Sequence, residues 1–229
     1  MCDSITVIRV VVFDFDGVIV GSNDIKRSAY FKLFSLVSRS RQIVEDVLKT
    51  LEPASRSVII GAILNRLEAF KYKGDKEIHS IKVEYEKRYG EICLNGVSLC
   101  PEIKGATESL KMLSVEYELY LNSLTPLEPL KLVLRNRGLT SYFKDVFGSN
   151  KSKIENLKHI IAVENITPRQ VVVVGDGVLD VESASACGTH FIGIENGNGV
   201  LRDKGAVVLL PDCDLLVHQI KKISKKGNS

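Results

Sequence analysis

Val7-Ile8-Arg9-Val10-Val11-Val12-Phe13-Asp14-Phe15-Asp16-Gly17-Val18-Ile19-Val20 is the stretch that decides the fold. Val10 to Phe13 is a β-branched and aromatic run, the composition of a central parallel strand covered on both faces. Asp14 and Asp16 follow at the two-residue period of a strand, so both carboxylates leave the chain on the same side. Gly17 then releases the backbone into a turn. Ligands of open α/β sheets bind beyond the carboxyl ends of the strands. Two carboxylates about 4 Å apart repel by about 4 kcal/mol at an effective dielectric of about 20. Such a pair either keeps one acid protonated or holds a cation. An all-oxygen donor set favours Mg²⁺.

After the acidic turn the pattern shifts from period two to helical period. Ser22 or Asn23 is placed to cap a helix running through Ala29, Tyr30, Leu33, Phe34 and Val37. Further helices are expected over Ile43–Leu51, ended by Pro53, over Ser57–Phe70 and over Ile78–Tyr89. About seventy residues without a strand read as a helical module inserted after the first strand. From Pro101 onward helix and strand alternate. Strands are expected at Glu118–Leu121, Val146–Phe147, Val171–Val174, Phe191–Ile194 and Val207–Leu210. Helices are expected at Ala106–Leu113, Leu127–Arg137, Ser152–Val163 and through Val181, Ala184 and Ala186. Gly138 and Gly188 are the helix stops. This alternation implies one parallel sheet with right-handed crossovers, an α/β fold with a Rossmann-like core. The expected division is 1–20 and 97–229 for the core and 21–96 for the insertion.

The 229 residues suit one large domain or a core with an insertion. A hydrophobic content of 45% and a charged content of 26% are those of a soluble globular chain. A net charge of +3 gives no bias toward polyanions, so no nucleic-acid or membrane partner is expected. The basic ending, Lys221, Lys222, Lys225 and Lys226, reads as a solvated helix end and tail. Cys2, Cys93, Cys100, Cys187 and Cys213 are scattered, with no Cys-x-x-Cys pair. They read as reduced thiols of a cytoplasmic protein. No signal-peptide plan and no membrane-length apolar run is visible. His79, His159, His190 and His218 lack ligand spacing. The stretch Asn196 to Gly199 lacks the lysine and spacing of a P-loop.

Four polar stations stand at four strand ends. They are Asp14 with Asp16, Asn122 with Ser123, Lys153 or its rival Lys151, and Gly175-Asp176-Gly177 with Asp180. Thr125 is a second hydroxyl near Ser123. A parallel sheet gathers such stations along one edge. Acids, a hydroxyl and an amine are the parts that phosphoryl transfer requires: charge neutralisation around the phosphoryl oxygens and a carboxylate attacking in line.

Asp-Phe-Asp-Gly-Val at 14–18, Leu-Asn-Ser at 121–123, Ser-Lys at 152–153 and Gly-Asp-x-x-x-Asp at 175–180, in this order, resemble the haloacid-dehalogenase-like hydrolase superfamily. The match covers essentially the whole chain and points to its phosphoglycolate-phosphatase and β-phosphoglucomutase-like branch. The stretch from Tyr142 to Ser149 looks like the loop these enzymes carry before the lysine, and the helical module like their α-helical cap. The resemblance implies a Mg²⁺-dependent phosphatase of a small phosphorylated metabolite, a sugar or organic-acid phosphate, acting through an aspartyl-phosphate. Asp14 would be the nucleophile and Asp16 the general acid and base. Mg²⁺ would be held by the carboxylates of Asp14 and Asp176 and the carbonyl of Asp16. Ser123, Asn122 and Lys153 would bind the phosphoryl group. Asp180 would reach the metal through water or from behind its ligands, framed by Gly175 and Gly177. Asp16 is an acid that the dehalogenase branch lacks. A phosphomutase of the β-phosphoglucomutase type shares these motifs, and a non-catalytic module would be expected to have a damaged acid station. Relatives often carry an Asp-Ser or Asp-Thr pair where this chain has Val20-Gly21-Ser22. Arg56, Arg66, Lys71 and Lys73 are candidate anion contacts in the insertion.

Overall fold

The computed structural model describes residues 7–52, 54–195 and 200–226, with the side chains of 225 and 226 outside that set. The readings made above for Cys2, Pro53, Asn196 to Gly199, Lys225 and Lys226 therefore lie outside the described residues. The chain forms two compact units, one of residues up to 21 and from 100 onward, the other of residues 22–99.

The first unit is built on six strands: β1 Val10–Phe13, β2 Glu118–Asn122, β3 Asp145–Phe147, β4 Val171–Gly175, β5 His190–Ile194 and β6 Leu209–Leu210. Their order is β3-β2-β1-β4-β5-β6, and every pairing is parallel. All four residues of β1 and all five of β4 are buried. That is why these strands are nearly all valine: with helices on both faces, every side chain points into apolar surroundings. Val10, Val12, Tyr120, Val171 and Val173 from the sheet pack with Leu157 and Ile160 of α7 (Lys153–Val163) and Ala184 of α8 (Val178–Cys187). The chain visits β1, β2 and β3 on one side of the sheet and then β4, β5 and β6 on the other. The order reverses between β1 and β4, and a crevice opens at such a switch point beyond the strand ends.

Where the chain leaves this unit and returns to it, the two segments run side by side. Val20 bridges Glu102 antiparallel, the Gly21 N–H donates to the Pro101 carbonyl at 2.9 Å, and the Ile103 N–H donates to the Ile19 carbonyl at 3.0 Å. The buried Arg137 guanidinium donates to the Cys100 carbonyl and holds the returning segment.

The second unit is helical: α1 Asn23–Leu33, α2 Ser40–Leu51, α3 Arg56–Arg66, a 3₁₀ turn at Glu68–Phe70, and α4 Asp75–Leu99. The helices differ from the sequence expectation in their bounds: the second starts at Ser40, before Ile43, and the third ends at Arg66, with the residues up to Phe70 in the separate 3₁₀ turn. The first stops at Leu33 rather than continuing through Val37, because the Ser40 hydroxyl takes the Phe34 carbonyl at 2.7 Å and closes a turn there. The last runs 25 residues, ten past Tyr89. It runs through Gly90 and Gly96, and Gly96 is a packing device. A Cβ there would lie 2.6 Å from Ile25 Cγ2, so its absence lets α1 lie close against α4. Tyr30 and Tyr89, with ring centroids 4.5 Å apart, fill the seam between the same two helices.

No helix among the described residues is long and apolar enough to cross a membrane. Cys93, Cys100, Cys187 and Cys213 are not in disulfides.

Candidate active site

Strand ends and helix starts deliver the predicted residues to the switch point. The Asp14 N–H donates to the Val174 carbonyl at 2.8 Å, which extends the β1–β4 ladder one residue beyond β1 and pins Asp14 at the sheet edge. Gly17 stands at φ 76°, a left-handed conformation that glycine adopts without a Cβ penalty. Its N–H closes on the Val20 carbonyl at 2.8 Å, and the resulting turn carries Asp16. The next strand, β2, ends in Asn122, and the Ser123 N–H donates to the Phe147 carbonyl of β3 at 3.0 Å. Lys153 is the first residue of α7, whose start is set by a capping box between Ser152 and Glu155. Gly175 ends β4, Asp176 follows, and Asp180 lies in the first turn of α8.

These residues meet. Lys153 Nζ lies 3.0 Å from Asp14 Oδ1 and 2.6 Å from Asp180 Oδ1, and all three side chains are at least nine-tenths buried. Asp14, Asp176 and Asp180 each present an oxygen, and those oxygens lie within 4.8 Å of one another. Asp180 Oδ2 also accepts the Gly177 N–H at 3.2 Å, so this side chain caps its own helix while holding the lysine. Gly175 makes room for it, since a Cβ there would fall 2.2 Å from Asp180 Cβ. The rival Lys151 is exposed. Asp16 is buried at the same edge, its Oδ2 accepting the Thr125 hydroxyl at 3.2 Å.

Ser123 is 1% exposed and its oxygen accepts the Thr125 N–H at 3.1 Å. A hydroxyl that accepts there keeps its hydrogen to donate. Asn122 was expected at the phosphoryl group, but its side chain is committed to protein atoms. Nδ2 donates to the Lys153 carbonyl and Oδ1 accepts from Asn156 Nδ2, both at 2.9 Å. It therefore fixes the start of α7, and with it the lysine. Asn156 is the residue that the sequence reading missed. It sits buried among Leu157 and Ile160 on the core face of α7, and a polar residue at a core position was the available signal. His79, His159 and His218 are exposed, and His190 is half-buried in β5.

Charge is unbalanced here. Burial pushes the Asp14 carboxyl well above its ordinary range; Lys153 pulls it down, and the carboxylates of Asp180, Asp176 and Asp16 push it up again. Burial alone would lower Lys153, but Asp14 and Asp180 beside it hold its ammonium above an ordinary lysine. One ammonium among four carboxylates leaves a surplus of negative charge. The hard oxygen donors of Asp14 and Asp176 suit a divalent cation of the Mg²⁺ kind.

A haloacid dehalogenase-like hydrolase family model matches residues 8–188, from just before β1 to just past α8. The chain belongs to the haloacid dehalogenase-like hydrolases. Among curated relatives of this hydrolase, a phosphoglycolate phosphatase of Pasteurella multocida (strain Pm70) is 26% identical over 202 residues, covering 84% of this chain and 88% of the relative. A phosphoglycolate phosphatase of Salmonella typhi is 24% identical over 229 residues, covering 91% and 88%. Among solved structures, a predicted phosphoglycolate phosphatase from Haemophilus somnus 129PT superposes with a TM-score of 0.76 at 17% identity, covering 93% of this chain and 97% of the other. At that identity the likeness speaks for the fold.

Proposed function

We propose that this phosphatase moves a phosphoryl group from a small phosphorylated metabolite first to Asp14 and then to water. The observation that carries the reading is Lys153 Nζ set between Asp14 and Asp180, with the Asp176 carboxylate in the same cluster. A buried ammonium there offsets the charge of an incoming phosphoryl group and draws the attacking carboxylate toward its ionised form.

In the first step Asp14 attacks phosphorus and the ester P–O bond breaks. Asp16 gives its proton to the departing oxygen. In the second, a water oxygen attacks phosphorus while its proton passes to Asp16. The bond from phosphorus to Asp14 breaks, and phosphate leaves. Asp16 ends protonated, as it began. Ser123 donates to a phosphoryl oxygen, and Asn122 and Asp180 hold Lys153 in place from backbone and head. Asp14, Asp176 and the carbonyl of Asp16 would hold Mg²⁺, which would neutralise phosphoryl oxygens and favour ionised Asp14. The helical insertion is read as the family's cap, the element on which substrate selection is expected to depend, with Arg56 and Arg66 as its candidate anion contacts. The chain works in the cytoplasm, a reading supported by thiols outside any disulfide.

The phosphoglycolate phosphatases among the curated relatives support organic-acid phosphates, beside sugar phosphates, as the substrate class to test. The test is phosphate release across a panel of sugar and organic-acid phosphates with Mg²⁺, repeated after chelation and dialysis. Release that stops on chelation and returns with Mg²⁺ is expected. Turnover that survives metal removal would overturn the reading. Isomerised sugar phosphate in place of free phosphate would show a mutase.

A further inference from the structure

The geometry points to Thr125 as the residue that aims the Asp16 carboxyl group, an inference that rests on Asp16 being the proton donor and acceptor proposed above. Thr125 Oγ1 donates to Asp16 Oδ2 at 3.2 Å, across 109 residues of sequence. Threonine hydroxyls in turns ordinarily bond to nearby backbone. Here the hydroxyl reaches the acid of another loop, far away in sequence.

The position of that hydroxyl is set from both sides. The Thr125 N–H donates to Ser123 Oγ at 3.1 Å, and the Thr125 carbonyl accepts the Ser149 N–H at 3.1 Å. Gly148 permits this closeness: a Cβ there would lie 2.8 Å from the Thr125 carbonyl oxygen and 2.6 Å from the Leu127 nitrogen. Pro126 stands just before α6 (Leu127–Asn136) with φ −56°, which stiffens the exit. The loop after β3 thus clamps the loop after β2, and that loop presents a hydroxyl to the acid after β1.

A hydroxyl has one hydrogen to give. Given to Asp16 Oδ2, it holds that oxygen and fixes the orientation of the carboxyl group that shuttles the proton. Thr125 therefore acts through Asp16 as a positioning residue, and the phosphoryl group is left to Ser123 and Lys153.

The test compares Thr125→Val, which keeps the shape and removes the hydroxyl, with Thr125→Ser, which restores it. Alcohol release in the first turnover is followed by rapid quench with Mg²⁺, on an alkyl phosphate and on p-nitrophenyl phosphate. An alkoxide needs a proton on departure, whereas p-nitrophenolate leaves without one. Thr125→Val is expected to slow first-turnover release of the alkyl alcohol about 10- to 100-fold, the effect of losing one hydrogen bond to an ionisable group in the transition state. KM is expected within about twofold of wild type, as for loss of a transition-state interaction. The aryl ester should lose much less, and serine should restore the rate. In an Asp16→Asn background Thr125→Val should cost nothing further. Thr125→Ala carries the same expectations and stands in if valine impairs folding. Wild-type rates in Thr125→Val and Thr125→Ala, or equal losses on both esters that persist with Asp16→Asn, would overturn the inference. Activity retained by Asp14→Asn would instead defeat the underlying reaction scheme, so the two failures are told apart.

Discussion

Replacing Lys153 by methionine removes one charge and little volume from the most crowded part of the site. The ammonium stands 3.0 Å from Asp14 and 2.6 Å from Asp180, with both carboxylates buried. At an effective dielectric of about 20, one charge pair about 3 Å apart attracts by about 5 kcal/mol. Much of that attraction offsets the desolvation of the charges, so breaking such a pair costs about 3–5 kcal/mol net. At roughly 3 °C per kcal/mol for a chain of this size, the melting temperature should fall by about 10 °C or more. The loss should depend on pH. Burial already pushes Asp14 up, with Lys153 the group that opposes it. Without the lysine Asp14 rises further, and an acid raised in the folded state binds more protons folded than unfolded. The stability of the variant should therefore fall as pH rises above the ordinary aspartate range, and its deficit against wild type should shrink toward pH 4. Turnover at neutral pH should drop by about 10²–10³, the scale for removing one fixed group that stabilises transition-state charge. The checks are thermal melts of both proteins from pH 4 to 8 and phosphate release with Mg²⁺. A Lys153→Met protein with unchanged melting temperature at pH 8, or with wild-type turnover, would refute the electrostatic reasoning.

Gly175→Ala should cost activity, because its Cβ would fall 2.2 Å from Asp180 Cβ and push that carboxylate off Lys153; phosphate release beside a melt would show kcat falling by more than tenfold, the order expected for a misplaced catalytic group. Gly96→Ala should destabilise the helical unit by about 1–3 kcal/mol through overpacking against Ile25, and Ile25→Ala in the same chain should recover part of the loss, which calorimetry would register. His190 is lowered by burial from 6.5. The unfolded chain then takes up its proton first, so stability should decline as pH drops below about 6.5 and level off below the folded-state value. In His190→Gln that part of the pH dependence should be flatter, and an identical profile would count against it.

The legible parts of the sequence were those where one residue type has one physical reason to be there. Valines at 10–12 and 171–174 meant strands buried on both faces, and the acids just beyond them meant a sheet-edge site. Ser152 announced a helix start beside the candidate lysines. Less legible were features that depend on what lies across a gap. The packing role of Gly96 shows only when Ile25 is seen against it. Asn122 sits beside Ser123 in a motif, yet its side chain turns back to the start of α7 because Lys153 offers a carbonyl there and Asn156 an amide. Choosing between Lys151 and Lys153 required knowing which side of the α7 start faces the sheet. Thr125 read as a rival to Ser123 because spacing along the chain does not reveal that its hydroxyl meets Asp16.

Phosphopeptide mapping after acid quench tests the central claim most directly. The enzyme is mixed with Mg²⁺ and a substrate from the panel, stopped in acid during turnover, digested and read by mass spectrometry. One acid-stable, hydroxylamine-labile phosphoryl group on the peptide containing Asp14, missing in Asp14→Asn, is the predicted result. Steady turnover with no phosphoryl group on that peptide, or with one on another residue, would contradict the account.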